Sequence, residues 1–354
     1  MIENKYKEEA ISLLERIIKI PSFSKEEDGV ADYLIDFFKA KGIKTERFKN
    51  NLLVYPDHYQ DGLANVLLNS HIDTVKPVDS WSVDPFACIK KEAKIIGLGS
   101  NDAGASLVAL IASFLYFSKE KLPFNLLLAI SAEEEISGKH GMEYLTTVLP
   151  KIEMAIVGEP TQMNVAYAER GLMVVDGIAK GKAGHAARKE GINAIEIAMK
   201  DIAWIHAYQF NLDSTLPPSM TVTMINAGSQ HNVVPDTCKF VIDVRSADKY
   251  TNEAIYDLLN ANLKSELKAR SFRLKSSFLP TDHLLRKTAK QLSLKQYSSP
   301  TLSDQALMNF PSIKMGPGKS ERSHQADEFI SLTEIKEGID KYIEFIEQLK
   351  SNYE

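Results

Sequence analysis

Residues 65–73 read NVLLNSHID, an apolar run that breaks into an imidazole, His71, and a carboxylate, Asp73, two positions apart. Alternate residues of an extended chain project to the same side, so both groups face one way just past the end of a buried strand. The same form recurs twice. FNLLLAISAEEE (124–135) ends in Glu133-Glu134-Glu135, and IEMAIVGEP (152–160) ends in Gly158-Glu159-Pro160. Around these runs, residues 28–42, 103–119 and roughly 139–148 read as helices, the first with apolar residues at helical spacing and an end at Gly42. Short, fully apolar strands between helices predict an α/β layer fold with a mostly parallel central sheet. In such sheets ligands gather at the carboxyl ends of the strands, where this imidazole and these carboxylates fall.

A chain of 354 residues exceeds one ordinary core, and its pattern changes after residue 165. GLMVVDGIAKG, SMTVTMINAG and CKFVIDVRS read as strands, NAIEIAMKDIAWIHAY and NEAIYDLLNANLKSEL as helices, and SFRLKSSFL as a last strand. The order β-α-β-β-α-β is that of a ferredoxin-like α+β sandwich. The expected division is one domain over residues 1–165 and 280–354, with a second domain inserted at 166–279. An apolar content of 44% and a charged content of 25% are those of a soluble globular protein. A net charge of −5 without a long basic run argues against nucleic acid as a partner. The N-terminal pattern MIENKYKEEAISLLERIIKIPS is amphipathic, interrupted by charges and stopped by Pro21, which argues against a signal peptide or a membrane partner. Cys88 and Cys238 form no CxxC pair, which fits a reducing, cytoplasmic setting and excludes a cysteine-based metal site.

His71, Asp73, Asp102 in GLGSNDAGAS, the glutamate run 133–135, Glu159 and His324 in SHQADE all stand at breaks between apolar segments. Carboxylates after apolar strands are costly to desolvate unless a cation pairs with them, and no lysine or arginine is interleaved here. A divalent metal answers the problem, and the mix of imidazole and carboxylate suits zinc or a similar ion. Two imidazoles and three carboxylates are enough for two ions with one carboxylate bridging. Each piece also has an ordinary reading on its own. His71 can be a surface or hydrogen-bonded histidine, and the glutamate run a solvated helix start. GLGSNDAG can be a glycine turn, and Asp73 a turn carboxylate capping backbone amides.

The order H-x-D, G-x-G-x-x-D, acidic-Glu-Glu, Gly-Glu-Pro and a late histidine resembles the co-catalytic zinc amidohydrolases and exopeptidases. That family includes acetylornithine deacetylase, succinyl-diaminopimelate desuccinylase and carboxypeptidase G. The resemblance covers nearly the whole chain, including GKAGHAA and NVVPD in its middle. It implies a zinc-peptidase-like catalytic domain with an inserted dimerisation or lid domain, two Zn2+ (or Co2+) per subunit, and a homodimer joined through the insert. It also implies roles. His71 and Glu159 would hold one zinc, Glu135 and His324 the other, with Asp102 bridging. Asp73 would orient a ligating imidazole. Glu134 would be the general base, and His185 of GKAGHAA would reach the partner subunit's site as an oxyanion donor. Asn232 and Arg245 would contact the substrate carboxylate.

The family has Asp-Glu-Glu where this chain has Glu133-Glu134-Glu135, so a reading shifted by one, with Glu133 as base, stays open. The step 159 − 135 = 24 fits the family's spacing for Glu135 as ligand. The family's frequent Asp-x-Lys-Gly is here Asp102-Ala103-Gly104-Ala105, which bears on local packing more than on the ligands. GPG at 316–318 reads as a turn that lets backbone approach a ligand. GPGKSERSHQADEF and VGEPT look closest to the acetylornithine and acetyl-lysine deacetylase branch. The implied reaction is hydrolysis of the amide of a small N-acyl amino acid, with acetylornithine or acetylcitrulline in arginine biosynthesis as the leading substrates. Desuccinylase, acetyl-lysine deacetylase, and dipeptidase or carboxypeptidase activity are alternatives. A metal-dependent binding protein without catalysis is the reading from another class, and the intact Glu134 argues against it.

Overall fold

Asn65–His71, Asn125–Ser131 and Met154–Val157 are strands buried at every position. A strand covered on both faces has no solvent side to mark with polar residues, so its sequence is a continuous apolar run. These three are parallel neighbours, and Ser312–Lys314 adds a fourth parallel strand beside Met154–Val157. Asn51–Val54 joins antiparallel at one margin and Val165–Glu169 at the other. A computed structural model describes residues 4–210 and 217–353 of the chain. It divides into one unit of Met1–Tyr167, Leu279–Tyr297 and Ser303–Glu354, and another of Ala168–Phe278 and Ser298–Leu302.

In the first unit the helix Ala105–Phe117 packs on two of the parallel strands and against the helices Asn4–Ile17 and Leu332–Tyr353. Its sequence, ASLVALIASFLYF, is apolar on all sides because every side of it meets protein. The window Ser100–Phe117 is apolar enough to cross a membrane by composition, yet 83% of it is buried within this core. The helix starts at Ala105, two residues later than the sequence pattern implied. Ser100–Gly104 instead forms an irregular turn in which Asp102 and Ala103 have non-helical backbone angles. The helix expected near 139 likewise starts at Met142, and the glutamate run before it is a turn.

The second unit is a four-stranded antiparallel sheet in the order Ser219–Ala227, Thr237–Arg245, Met173–Lys180, Glu266–Ala269. The helices Ala194–Ala207 and Asn252–Asn262 cover the face carrying Val175, Cys238, Phe240 and Ile242. This is the βαββαβ sandwich, with one correction to its last two elements. The final strand is Glu266–Ala269, which the sequence reading had run into the preceding helix. That helix stops at Asn262 because Leu263 turns extended and the Asp201 carboxylate takes the N–H groups of Lys264 and Ser265. Of SFRLKSSFL, Ser277–Phe278 forms a short strand, and it pairs with Glu169 and Ala168. Ser219–Ala227 lies at the sheet edge, bulged between Val222 and Met224, with Met224 and Ile225 exposed.

Candidate metal centre

Parallel register sets the carboxyl ends of the strands side by side. His71 lies opposite Ser131, and Val157, two residues before Glu159, lies beside Asn69 and Lys314. The His71 ring is buried, and its Nδ1 lies 2.9 Å from the main-chain carbonyl of Asp73, with the Asp73 carboxylate at 3.5 Å. A carbonyl only accepts, so Nδ1 carries a proton and Nε2 is the nitrogen turned toward the carboxylates. That Nε2 stands 3.5 Å from Asp102 Oδ1 and 3.7 Å from Glu159 Oε1, buried, with no hydrogen-bond partner among the described residues. His324, whose φ of 61° is left-handed, brings its Nε2 to 2.8 Å from Glu135 Oε2 and 3.6 Å from Asp102 Oδ2. The two Asp102 oxygens thus face different imidazoles. Donors around a tetrahedral zinc with bonds of about 2.0–2.1 Å stand about 3.3 Å apart, close to the spacings around Asp102. Two overlapping groups, His71 with Glu134 and Glu159, and His71 with Asp102 and Glu135, keep their donor atoms within 4.8 Å.

Asp73 organises the glutamate run. Its carboxylate accepts the N–H of Glu134 at 2.9 Å, the N–H of Glu135 at 3.1 Å and the Ser24 hydroxyl at 2.7 Å. It therefore caps backbone amides and stands beside His71 at the same time. Glu133, at φ 54°, turns its carboxylate away to accept the His140 N–H, and its own N–H donates to Glu27. Glu134 and Glu135 are the members of the run grouped with His71.

The charges do not balance without a cation. Burial pushes Glu159 up to about 8, with the Asp102 charge adding to it. Burial also raises Glu134 well above the carboxylate range; His71 opposes this, while Glu159, Asp304 and Glu135 reinforce it. Glu135 is raised by burial too. Burial alone would lower His71, but Asp102 and Asp73 outweigh it and hold the ring well above its usual value. His324 is raised to about 9, chiefly by its bond to Glu135. Carboxylates that keep protons beside imidazoles that gain them mark a site short of positive charge. A divalent ion on the orphaned His71 Nε2 and its carboxylate neighbours would supply it, and the residues present fit such a group. Lys314, buried in the neighbouring strand, contributes a positive charge felt at Glu159 that the linear sequence did not reveal.

The sequence matches the peptidase family M20/M25/M40 over residues 67–348. The chain belongs to this family. It is 28% identical to acetylornithine deacetylase of Proteus mirabilis, over 92% of this chain and 93% of that one. It is 30% identical to succinyl-diaminopimelate desuccinylase of Wolinella succinogenes, over 73% of this chain and 74% of that one. The crystal structure of YXEP from Bacillus subtilis, described as a dinuclear metal-binding peptidase of the M20 family, shares the fold with a TM-score of 0.71. That likeness covers 97% of this chain and 98% of the other at 15% identity. As an M20 protein related to deacetylases and desuccinylases, the chain is a hydrolase acting on amide bonds.

Two further acids stand at the M20 centre that the sequence reading passed over. Asp304 is buried, accepts the Ser131 hydroxyl at 2.5 Å and is raised to about 6 by burial. It follows the Ser303 cap of a short helical turn and so reads as an ordinary helix-start acid. Glu328 is buried four residues after His324, and its carboxylate faces the turn carrying Asp102. It is the last residue of the SHQADE motif, where nothing in the linear sequence sets it apart from a surface acid.

His185, Asn232 and Arg245 belong to the inserted unit. Gly184–His185 pairs with Val234 and Val233, the exposed His185 ring accepts the Ala187 N–H at 3.2 Å, and the Asn232 carbonyl accepts the Ala186 N–H. Arg245 holds Asp243 through Nε at 2.8 Å and Nη2 at 3.1 Å. Arg170 of the same unit has a buried Nε with no acceptor among the described residues. Burial and the charge of Arg245 draw its pKa down.

Proposed function

We propose that this M20 hydrolase deacylates an N-acyl amino acid, with acetylornithine or acetylcitrulline as substrate, on two zinc ions for which cobalt can substitute. One observation carries the reading: the Nε2 atoms of His71 and His324 face opposite oxygens of the single Asp102 carboxylate. His71 and Glu159 would hold one ion and Glu135 and His324 the other. Two divalent ions there supply Lewis acidity toward an amide carbonyl and toward water. Glu134, whose burial lets it hold a proton, takes one from the attacking water and returns it to the departing amine. Asp73 keeps Glu134 and Glu135 in register through their amides. Asn232 and Arg245 receive the substrate carboxylate. His185 supplies a donor to the oxyanion of a neighbouring subunit, in a homodimer joined through the inserted unit, whose edge strand Ser219–Ala227 exposes Met224 and Ile225.

A second reading is an N-succinyl substrate, whose extra acyl carboxylate needs another cation. Arg170, whose buried Nε has no acceptor among the described residues, is the residue that favours it. A hydrolysis panel of N-acetyl-ornithine, -citrulline and -lysine, N-succinyl amino acids and dipeptides decides between them. The first reading expects the highest kcat/KM with an acetylated diamino acid or acetylcitrulline. A preference for succinyl substrates selects the second, and hydrolysis of none of these amides overturns both.

A further inference from the structure

Asp102 sits on a turn, and the turn is held by a carboxylate outside the ligand set. Glu328 is 3% exposed, and both its oxygens are occupied by backbone. Oε1 accepts the N–H of Asn101 at 2.7 Å and of Asp102 at 2.9 Å, and Oε2 accepts the N–H of Gly99 at 3.1 Å. The Glu328 carbonyl also accepts the Gly97 N–H at 3.0 Å. Immediately beyond, Phe329–Ser331 pairs with Lys94–Ile96, the strand that leads into this turn. The other side of the turn is closed by the Asn101 side chain, which donates to the Lys319 carbonyl at 3.0 Å and accepts the Lys319 N–H at 2.9 Å. The turn bearing Asp102 is thus gripped on both sides by the segment bearing His324, at residues 319 and 328.

We propose that Glu328 is a positioning residue that sets metal affinity by fixing the direction in which Asp102 projects toward His71 and His324. The proposal rests on the reading of Asp102 and His324 as metal ligands. An N–H fixed at Asp102 itself leaves its Cα–Cβ bond little freedom, so the two oxygens arrive already spaced for two ions. A carboxyl group suits three N–H donors because its two oxygens offer acceptor positions to all of them. Glutamine at 328 would present one oxygen and one NH2 group. At least one of the three amides would then face a donor, and the turn would relax. A residue that orients a ligand typically changes metal affinity by roughly 10- to 100-fold when replaced.

The test measures zinc affinity of metal-stripped protein by competition with a chromophoric chelator, at a temperature where circular dichroism shows each variant native. Glu328→Gln is compared with wild type and with Asp201→Asn. Asp201 is a matched control, a buried carboxylate accepting the N–H groups of Lys264 and Ser265 in the inserted unit. The expected result is a loss of roughly 10- to 100-fold for Glu328→Gln. Asp201→Asn should lose thermal stability and keep wild-type affinity. Unchanged affinity in Glu328→Gln, or an equal loss in Asp201→Asn, overturns the proposal and leaves Glu328 a structural staple. If Glu328→Gln gives no native spectrum, Glu328→Asp takes its place, with reduced affinity expected and wild-type affinity overturning the idea. Wild-type protein that binds no zinc would instead remove the metal reading beneath it, so the two failures are separable.

Discussion

Replacing Asp73 by asparagine takes one charge and one acceptor from the group that shapes the Glu134 and Glu135 turn. The carboxylate accepts two backbone N–H groups, at 2.9 and 3.1 Å, and the Ser24 hydroxyl at 2.7 Å. Asparagine keeps a single oxygen. If that oxygen retains the Glu134 N–H, the Ser24 hydroxyl can rotate to accept from the new amide, but the Glu135 N–H meets an NH2 group. A bond to a charged acceptor contributes about 1.5–3 kcal/mol, and an unsatisfied buried donor costs about 1–3 kcal/mol. A net loss of about 2–4 kcal/mol lowers the melting temperature by roughly 5–15 °C for a unit of this size. The effect carries a pH signature. Burial opposes the Asp73 charge, yet His71, Ser24 and the Glu134 amide hold its pKa below the usual aspartate range. A depressed folded pKa gives stability that is present above the unfolded value of about 3.9 and is lost as pH falls through the folded value. Thermal melts of chelator-treated protein should therefore show the full gap between wild type and Asp73→Asn near neutrality. The gap should shrink as pH drops below about 4. An equal gap at both ends of that range, or none at all, would refute the reasoning.

Glu134→Gln should keep its metal and lose about 10²–10⁴-fold in kcat, while Glu133→Gln stays active; the reverse outcome moves the base by one residue. Gly104→Ala places a Cβ against the Gly99 carbonyl oxygen and the Leu14 side chain, so both melting temperature and zinc affinity should fall. An unchanged melting curve would mean the Asp102 turn can rebuild around a methyl group. Mixing the inactive variants His185→Ala and Glu134→Gln under subunit exchange should restore about a quarter of wild-type activity, since half the dimers are mixed and each carries one whole site. No recovery despite demonstrated exchange would place His185 outside the partner's chemistry.

The strands of the first unit were legible because burial on both faces leaves no choice but continuous apolar residues, as in LLNSH and LLLAIS. Their ends were legible for the same reason, since polar groups beside such runs stand out. What stayed hidden depends on chain directions that no spacing encodes. Glu266–Ala269 is strand rather than helix because Asp201, more than sixty residues away, takes the amides that would have continued the helix. Asp73 reads in the sequence either as a partner for His71 or as a cap on backbone amides; the fold makes it both, but which amides it caps, those of Glu134 and Glu135, no local spacing gives. Lys314 and Glu328 come from strands and turns far along the chain, and only the sheet order sets them beside Glu159 and Asp102.

The most direct test of the two-metal account is a titration of metal-stripped protein with zinc or cobalt, following bound ion and amide hydrolysis together. Binding should saturate at about two ions per chain, with activity absent in the stripped protein and full at saturation. Full activity without any divalent metal, or binding that ends at one ion with full activity, would contradict it.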